Sequence, residues 1–362
     1  MFDYLVVGCG LSGVTCARLL AEKEKRVLVV EKRDHIGGNV YDEYNEYGIL
    51  IHKYGPHIFH TKFKEVWDYL SRFTKWRNYQ HRVLAFVNGS LVPLPINLDT
   101  INILYGMNLD TFGLRTFFEQ VRKRDIEIKN AKDMVINKVG EDLYNLFFKN
   151  YTKKQWDLYP DELEPEVTAR IPVRDNRDDR YFADQYQGIP LYGYTCMVKN
   201  MLAHENISVL LNTDYKKIIG EVKFERLIYT GPLDYYFEYK FGKLPYRSIV
   251  FEEETLDLEN FQSVGTVNYP NDYDFTRITE FKHLTGQKSA KTTIVKEYAT
   301  ASGEPYYPIP QKKYLDILNL YQNEQAGLEN VYFTGRLAKY KYANMDAVVK
   351  EAVELVASLN GR

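Results

Sequence analysis

Gly8-x-Gly10-x-x-Gly13 is where the residue types and spacing of this chain first specify a chemistry. Gly8 permits a tight turn, Gly10 lets the backbone approach a pyrophosphate, and Gly13 lets a helix pack closely on the strand before it. A pyrophosphate held there meets the free N–H groups and the positive dipole end of that helix. Glu31, eighteen positions beyond Gly13, can accept hydrogen bonds from ribose hydroxyls. These residues predict recognition of a dinucleotide.

The elements that must hold this turn lie on both sides of it. Residues 3–8 form a short apolar strand, and Val14, Ala17, Leu20 and Ala21 share one helical face. A second buried-type strand, Val27-Leu28-Val29-Val30, stops at Glu31. Further on, Phe63, Val66, Trp67, Leu70 and Phe73 recur at spacings of three and four, predicting an amphipathic helix over 61–73. Asn88-Gly89 between two β-prone runs predicts a hairpin over 82–95. A helical period dominates 97–156. Beyond it, residues 181–182, 235–241, 247–251, 263–269, 276–281 and 292–298 are short runs rich in aromatic and β-branched residues, which predict an antiparallel sheet. A helix over 194–202, a strand at 209–211, a helix over 313–321, a strand at 331–333 and a last helix over 344–359 complete the chain.

Composition narrows the function. A chain of 362 residues exceeds what one hydrophobic core usually fills, so two or three packing units are expected. Its 47 basic and 49 acidic side chains leave a net charge of −2 with no long basic block, which argues against nucleic acid as the partner. No apolar run approaches ~18 residues, so no membrane insertion is expected. The apolar stretch Tyr4-Leu5-Val6-Val7 reads as a strand, not as a leader peptide. Cys9, Cys16 and Cys196 form no disulfide framework and show no metal-ligand spacing, which suits the cytoplasm and predicts no metal. The 31 tyrosines can line a polar pocket or fill half-buried sheets.

Asp34-His35-Ile36-Gly37-Gly38-Asn39 follows Glu31 at once, and this glycine pair resembles the flavoprotein signature more than the nicotinamide one. Val331-Tyr332-Phe333-Thr334-Gly335 resembles the stretch by which FAD proteins return to the flavin. FAD is therefore the expected cofactor. The fold class expected is α/β, a Rossmann-like FAD-binding domain with an inserted helical domain and an antiparallel β-sheet domain. The FAD-binding domain is expected over 1–80, 191–229 and 306–362, the helical insertion over 97–160, and the sheet domain over 165–190 and 230–305.

Six stretches in order along the chain resemble the bacterial UDP-galactopyranose mutases. They are Gly55-Pro56-His57-Ile58-Phe59-His60-Thr61, Leu94-Pro95-Ile96-Asn97-Leu98, Tyr151-Thr152-Lys153-Lys154-Gln155-Trp156, Arg170-Ile171-Pro172-Val173-Arg174, Pro305-Tyr306-Tyr307-Pro308, and Gly335-Arg336-Leu337 followed by Tyr340-Lys341-Tyr342. The resemblance implies an isomerase that interconverts UDP-galactopyranose and UDP-galactofuranose through a flavin N5–sugar adduct without net redox change. It implies reduced FAD, an external reductant such as NAD(P)H, a UDP-sugar as partner, a homodimer, and a place in lipopolysaccharide or capsule biosynthesis. Related substrates are UDP-N-acetylgalactosamine and dTDP-fucose. Two rival readings are an FAD oxidoreductase of the amine-oxidase type and a non-catalytic nucleotide-sugar binding protein.

The resemblance also assigns residues. Arg170 and Arg277 are the implied guanidinium partners of the departing diphosphate. Phe147, Phe148, Tyr151, Thr152 and Trp156 are the implied uracil site, although Phe147 and Tyr151 are also spaced as the buried face of a helix, and Asn268 is a further implied substrate contact. Tyr181, Tyr307 and Tyr342 are implied phosphate contacts, with Tyr306 the alternative register for Tyr307. His60 is implied beside the isoalloxazine, with His57 supporting its loop. Ser12, Lys32, Gly38, Asn39, Ile58, Arg336, Asn344 and Met345, with Gly335 in the returning turn, are the remaining implied FAD contacts. His81 and Asn344 depart from the family pattern of asparagine and aspartate, and either change bears on which sugar fits. The charged residues of 174–180 read as a solvated loop.

Overall fold

The computed structural model describes residues 1–169, 172–309 and 311–359. Its first layer is a five-stranded parallel sheet in the order Ile207–Leu210, Val27–Val30, Phe2–Val7, Phe224–Tyr229, Val331–Phe333. The inner strands are nearly continuous apolar runs, as expected of strands covered on both faces. Leu11–Ala21 follows the first strand and packs against the last helix, Met345–Ser358. Val14 and Ala17 of the one share a core with Val349, Ala352 and Val356 of the other and with Met197 and Met201 of the helix Tyr194–Leu202. The two ends of the chain therefore meet in one packing unit.

A seven-stranded sheet forms the second layer, in the order Tyr307–Pro308, Tyr246–Leu256, Thr292–Thr300, Arg277–Glu280, Thr266–Asn268, Val83–Val87, Ser90–Leu94. The hairpin turn is the expected one, with Asn88 and Gly89 both at positive φ (50° and 75°). One pairing departs from the antiparallel expectation: Thr266–Asn268 runs parallel to Val83–Val87. The chain reaches these two neighbours from opposite ends of the helical segment and the sheet, so no tight turn joins them. Against the hairpin pack the helices Leu98–Tyr105, Thr111–Val121 and Ala131–Val139, through Ile101, Leu114, Phe118, Val135 and Ile136. Asn97, Asp110 and Asn130 cap them by accepting N–H bonds from Thr100, Gly113 and Asp133.

Two strand expectations fail. Residues 235–241 form no strand: Leu233–Tyr236 is a short helix followed by turns. Their rings instead build an aromatic cluster, with Tyr236 and Phe237 against Tyr229, Phe333 and Tyr321 beneath the parallel sheet. Tyr181 and Phe182 likewise lie outside any strand, and the neighbouring strand is Tyr186–Pro190, which joins Phe59–Thr61 and Trp76–Asn78 in a separate three-stranded sheet. The helix expected over 61–73 begins at Lys64, because Thr61 belongs to that sheet.

Candidate active site

Above the carboxyl ends of the parallel strands lies a cavity of about 960 Å³. Gly8, Gly10, Ser12, Glu31, Lys32, Gly38, Asn39, His57, Gly335, Arg336 and Met345 line it. A Cβ on Gly10 would come no nearer than 3.9 Å to other protein atoms, so the cradle at the helix start is open to a ligand. Gly13 serves packing instead, since a Cβ there would sit 2.1 Å from the Gly8 carbonyl oxygen. No side chain caps the helix that begins after Gly10, which leaves its first N–H groups to an anion. Glu31 is fixed by backbone amides: Oε2 accepts from Cys9 N–H (2.8 Å) and Oε1 from Arg33 N–H (3.0 Å). Each oxygen keeps a further lone pair, and the carboxylate lines the cavity. These features fit a dinucleotide with its pyrophosphate at the glycine turn and a ribose at Glu31. Ile58 and Asn344 do not line the cavity: Ile58 packs among Ile49, Ile51, Ile189 and Phe281, and Asn344 precedes the last helix without a side-chain cap bond.

A second, narrower cavity of about 120 Å³ shares Trp156 with the first. Phe147, Phe148, Tyr151, Thr152, Tyr181, Asn268, Arg277, Tyr307 and Tyr342 converge on it. The backbone reason for the aromatic wall is a π-helical turn at Tyr144–Lys149, continued by the α-helix Asn150–Trp156. Such a bulge shifts the face presented by the next turn and is a frequent mark of functional sites. Phe147 thereby serves both readings, lining the cavity and closing the helical core as Phe148 also does, whereas Tyr151 lines the cavity and lies outside that core. Tyr307 stacks on Tyr342 (centroids 5.6 Å apart), and the Arg336 guanidinium lies 5.0 Å from the Tyr307 ring centre. Tyr306 points the other way, toward Tyr54 and Phe251.

Asn268, Arg277 and Glu297 stand side by side on three adjacent strands. Arg277 Nη2 lies 2.8 Å from Glu297 Oε2. Burial opposes the charge on Arg277, and the Glu297 carboxylate outweighs it, holding the guanidinium above its ordinary range. Arg277 Nε and Glu297 Oε1 are buried with no partner among the described residues. Arg277 lines the narrow cavity, and Glu297 backs it from the neighbouring strand without reaching the cavity itself. Arg170, the other implied arginine, lies outside the described residues.

His60 and His81 line neither cavity. His60 stacks on Phe182 (3.6 Å between centroids), and its Nδ1 lies 2.6 Å from Asp184 Oδ2. His81 receives a contact from Tyr79 at Nδ1 (3.2 Å) and packs edge-on to Tyr181. Burial pushes His52, His57 and His81 each down to about 3. All are neutral at pH 7, and protons bound below the unfolded value near 6.5 favour the unfolded chain. Stability is thus expected to fall as pH drops from about 6.5 toward 3, by about 1.4 kcal/mol per pH unit for each such histidine. Urea unfolding of the wild type and of His81→Asn between pH 7 and 5 checks this, the variant losing one proton's worth of slope.

Several residues of the site escaped sequence reasoning. Glu297 and Asp184 act through partners distant in sequence. Arg247, buried on the large cavity, donates to the carbonyls of Gln155 (3.1 Å) and Lys154 (3.4 Å) at the end of the aromatic helix. Gly37, Gln155 and Pro270 also line the cavities, and only Gly37 and Gln155 stood within motifs already singled out. The 174–180 loop is tied down by ion pairs, Arg82–Asp179 to the hairpin and Arg115–Asp175 to the helical segment.

A family model described as UDP-galactopyranose mutase matches residues 146–342, and one described as an NAD(P)-binding Rossmann-like domain matches residues 6–73. A probable UDP-galactopyranose mutase of Klebsiella pneumoniae is 38% identical over 97% of this chain and 93% of its own length. A dTDP-fucopyranose mutase of Escherichia coli is 37% identical over 98% of this chain and 97% of its own. Among solved structures, a crystal structure of reduced UDP-galactopyranose mutase superposes with a TM-score of 0.79 at 17% identity, covering 100% of this chain and 94% of that one, which shows the shared fold.

Proposed function

The chain belongs to the UDP-galactopyranose mutase family, and from that premise we propose that it interconverts UDP-galactopyranose and UDP-galactofuranose, with FAD in the large cavity and the nucleotide sugar in the narrow one. The observation that carries this reading is the junction of two cavities at Trp156, the larger containing the open glycine cradle and the narrower walled by aromatic rings and Arg277. Reduced FAD, when bound, supplies an electron-rich nitrogen nucleophile for an anomeric carbon, with no net redox change over the cycle.

The chain's own residues supply position and charge. Phe147, Phe148 and Trp156 offer flat apolar faces to a nucleobase, with Thr152 and Asn268 as polar contacts. Arg277, held in place by Glu297, faces the negative charge that develops on a departing diphosphate. The phenols of Tyr307 and Tyr342 can donate to phosphate oxygens without adding charge. The Asp184 carboxylate beside Nδ1 of His60 fixes the orientation of that ring. Electrons for the flavin come from NAD(P)H or another external donor in this scheme.

Anaerobic protein reduced with dithionite is expected to convert UDP-galactofuranose to UDP-galactopyranose, and the oxidised protein is expected to be inert. Product analysis by chromatography reads both; no conversion by fully reduced protein overturns the substrate assignment. The similarity to a dTDP-fucopyranose mutase favours one second reading, the same ring contraction on a thymidine-linked 6-deoxysugar. Comparing kcat/KM for UDP-galactofuranose, dTDP-fucofuranose and UDP-N-acetylgalactosamine in its furanose form separates the two.

A further inference from the structure

Two walls of the narrow cavity come from distant parts of the chain. One is the segment Tyr144–Lys149 with Asn150–Trp156; the other is the strand Thr266–Asn268, the loop after it and Arg277. Lys154 grows from the first wall and ends in the second. Its Nζ donates to three carbonyl oxygens of that one loop, those of Tyr269 (2.6 Å), Asp272 (2.8 Å) and Phe275 (3.3 Å). An ammonium has three N–H donors, so its capacity is filled by this loop alone. Among the described residues no carboxylate lies within ion-pair distance of Nζ, so the side chain is not a surface ion pair. It occupies the centre of a carbonyl ring as a bound cation would.

The loop is shaped for that centre. Tyr269 N–H closes it on the Thr276 carbonyl (2.9 Å), and Tyr273 takes a positive φ of 57° and stacks on Phe275. Two further bonds run between the same walls, Asn150 Nδ2 to Asn271 Oδ1 (3.0 Å) and Asn271 Nδ2 to the Leu146 carbonyl (2.8 Å). Asn268 and Pro270 at the start of the loop, and Tyr151, Thr152 and Gln155 beside Lys154, line the cavity between.

We propose that Lys154 is a positioning residue that sets the width of the nucleotide slot by clamping the 269–275 loop onto the helix that carries Tyr151, Thr152 and Trp156. It touches no reacting atom, and it acts on substrate affinity through the spacing of the two walls. The proposal rests on the narrow cavity being the nucleotide site.

Lys154→Met keeps the length of the stem and removes every donor, and Lys154→Arg keeps charge and donors. With FAD-loaded, reduced enzyme, Lys154→Met is expected to raise KM for UDP-galactofuranose and Kd for UDP by about tenfold or more, with kcat within about threefold of wild type. Flavin content and absorbance stay at wild-type values, and Lys154→Arg recovers most of the affinity. Hydrogen exchange of residues 269–275 in the nucleotide-free protein accelerates in Lys154→Met. An unchanged Kd for UDP, a fall in kcat at constant KM, or loss of flavin from both variants overturns the clamp. If the wild type itself neither binds UDP nor turns over the sugar, the functional reading has failed; unchanged exchange in Lys154→Met then overturns the clamp independently, and faster exchange sustains it. Should Lys154→Met not fold, the same measurements on Lys154→Arg decide, because Kd and exchange at wild-type values with the donors retained are expected and a tenfold loss is not.

Discussion

Arg277→Met is expected to lower kcat/KM by about 10²–10³-fold, the cost typical of removing one donor aimed at developing charge. The same change destabilises the fold, because Glu297 is only 1% exposed and loses its counter-ion. Breaking a buried pair on one side costs about 3–5 kcal/mol. These two consequences have different causes, and a second substitution separates them. Glu297→Gln in the Arg277→Met background removes the stranded charge, so the double variant regains much of the lost stability while activity stays low. Denaturant midpoints and kcat/KM on the three proteins form the test. Activity restored along with stability would mean that Arg277 only supports the sheet. Glu297→Gln alone leaves the guanidinium in the cavity without the carboxylate that holds it in place, so its activity is expected to fall by less.

Gly10→Ala is expected to give a folded protein that has lost its flavin. Gly10 sits at φ −81°, which any residue can adopt, and a Cβ there meets only Gly38 Cα, at 3.9 Å. The added methyl lies in the open cradle and competes with the ligand instead of with the protein. Overpacking of this kind costs about 1–3 kcal/mol, roughly tenfold to a hundredfold in Kd. Gly13→Ala should behave differently. Its methyl would stand 2.1 Å from the Gly8 carbonyl, so the helix Leu11–Ala21 must move off its strand and the apoprotein itself melts earlier. Flavin per chain from the 450 nm band, with melting of the apoproteins, distinguishes the two. Full flavin occupancy in Gly10→Ala would remove the glycine turn from the cofactor site.

Features that depend on neighbours within a few residues are legible in the amino-acid letters alone. The glycine turn, the Asn88-Gly89 hairpin and the strand–helix alternation of 2–30 follow from local dihedral preferences and from the periods of 2 and 3.6. Motif strings carried the aromatic and tyrosine residues of the narrow cavity, since their identity is local even though their convergence is not.

Tertiary structure alone decided which side chains meet. Arg277 and Glu297 are twenty positions apart and face each other only because of the strand register. Tyr307, at the start of the strand Tyr307–Pro308, lines the cavity while Tyr306 just before it turns toward Tyr54 and Phe251, a choice that two adjacent tyrosines cannot reveal as letters. The aromatic run at 235–241 carried β propensity, yet its rings gained more by packing beneath the parallel sheet than by pairing in the other one. Lys154 reads as one more charge in a basic pair until the 269–275 carbonyls close around it. Local backbone energetics act over a turn or two of chain, whereas register, burial and the pairing of buried charge are set by contacts between segments well separated in sequence, from Arg277 with Glu297 to Lys154 with Tyr269.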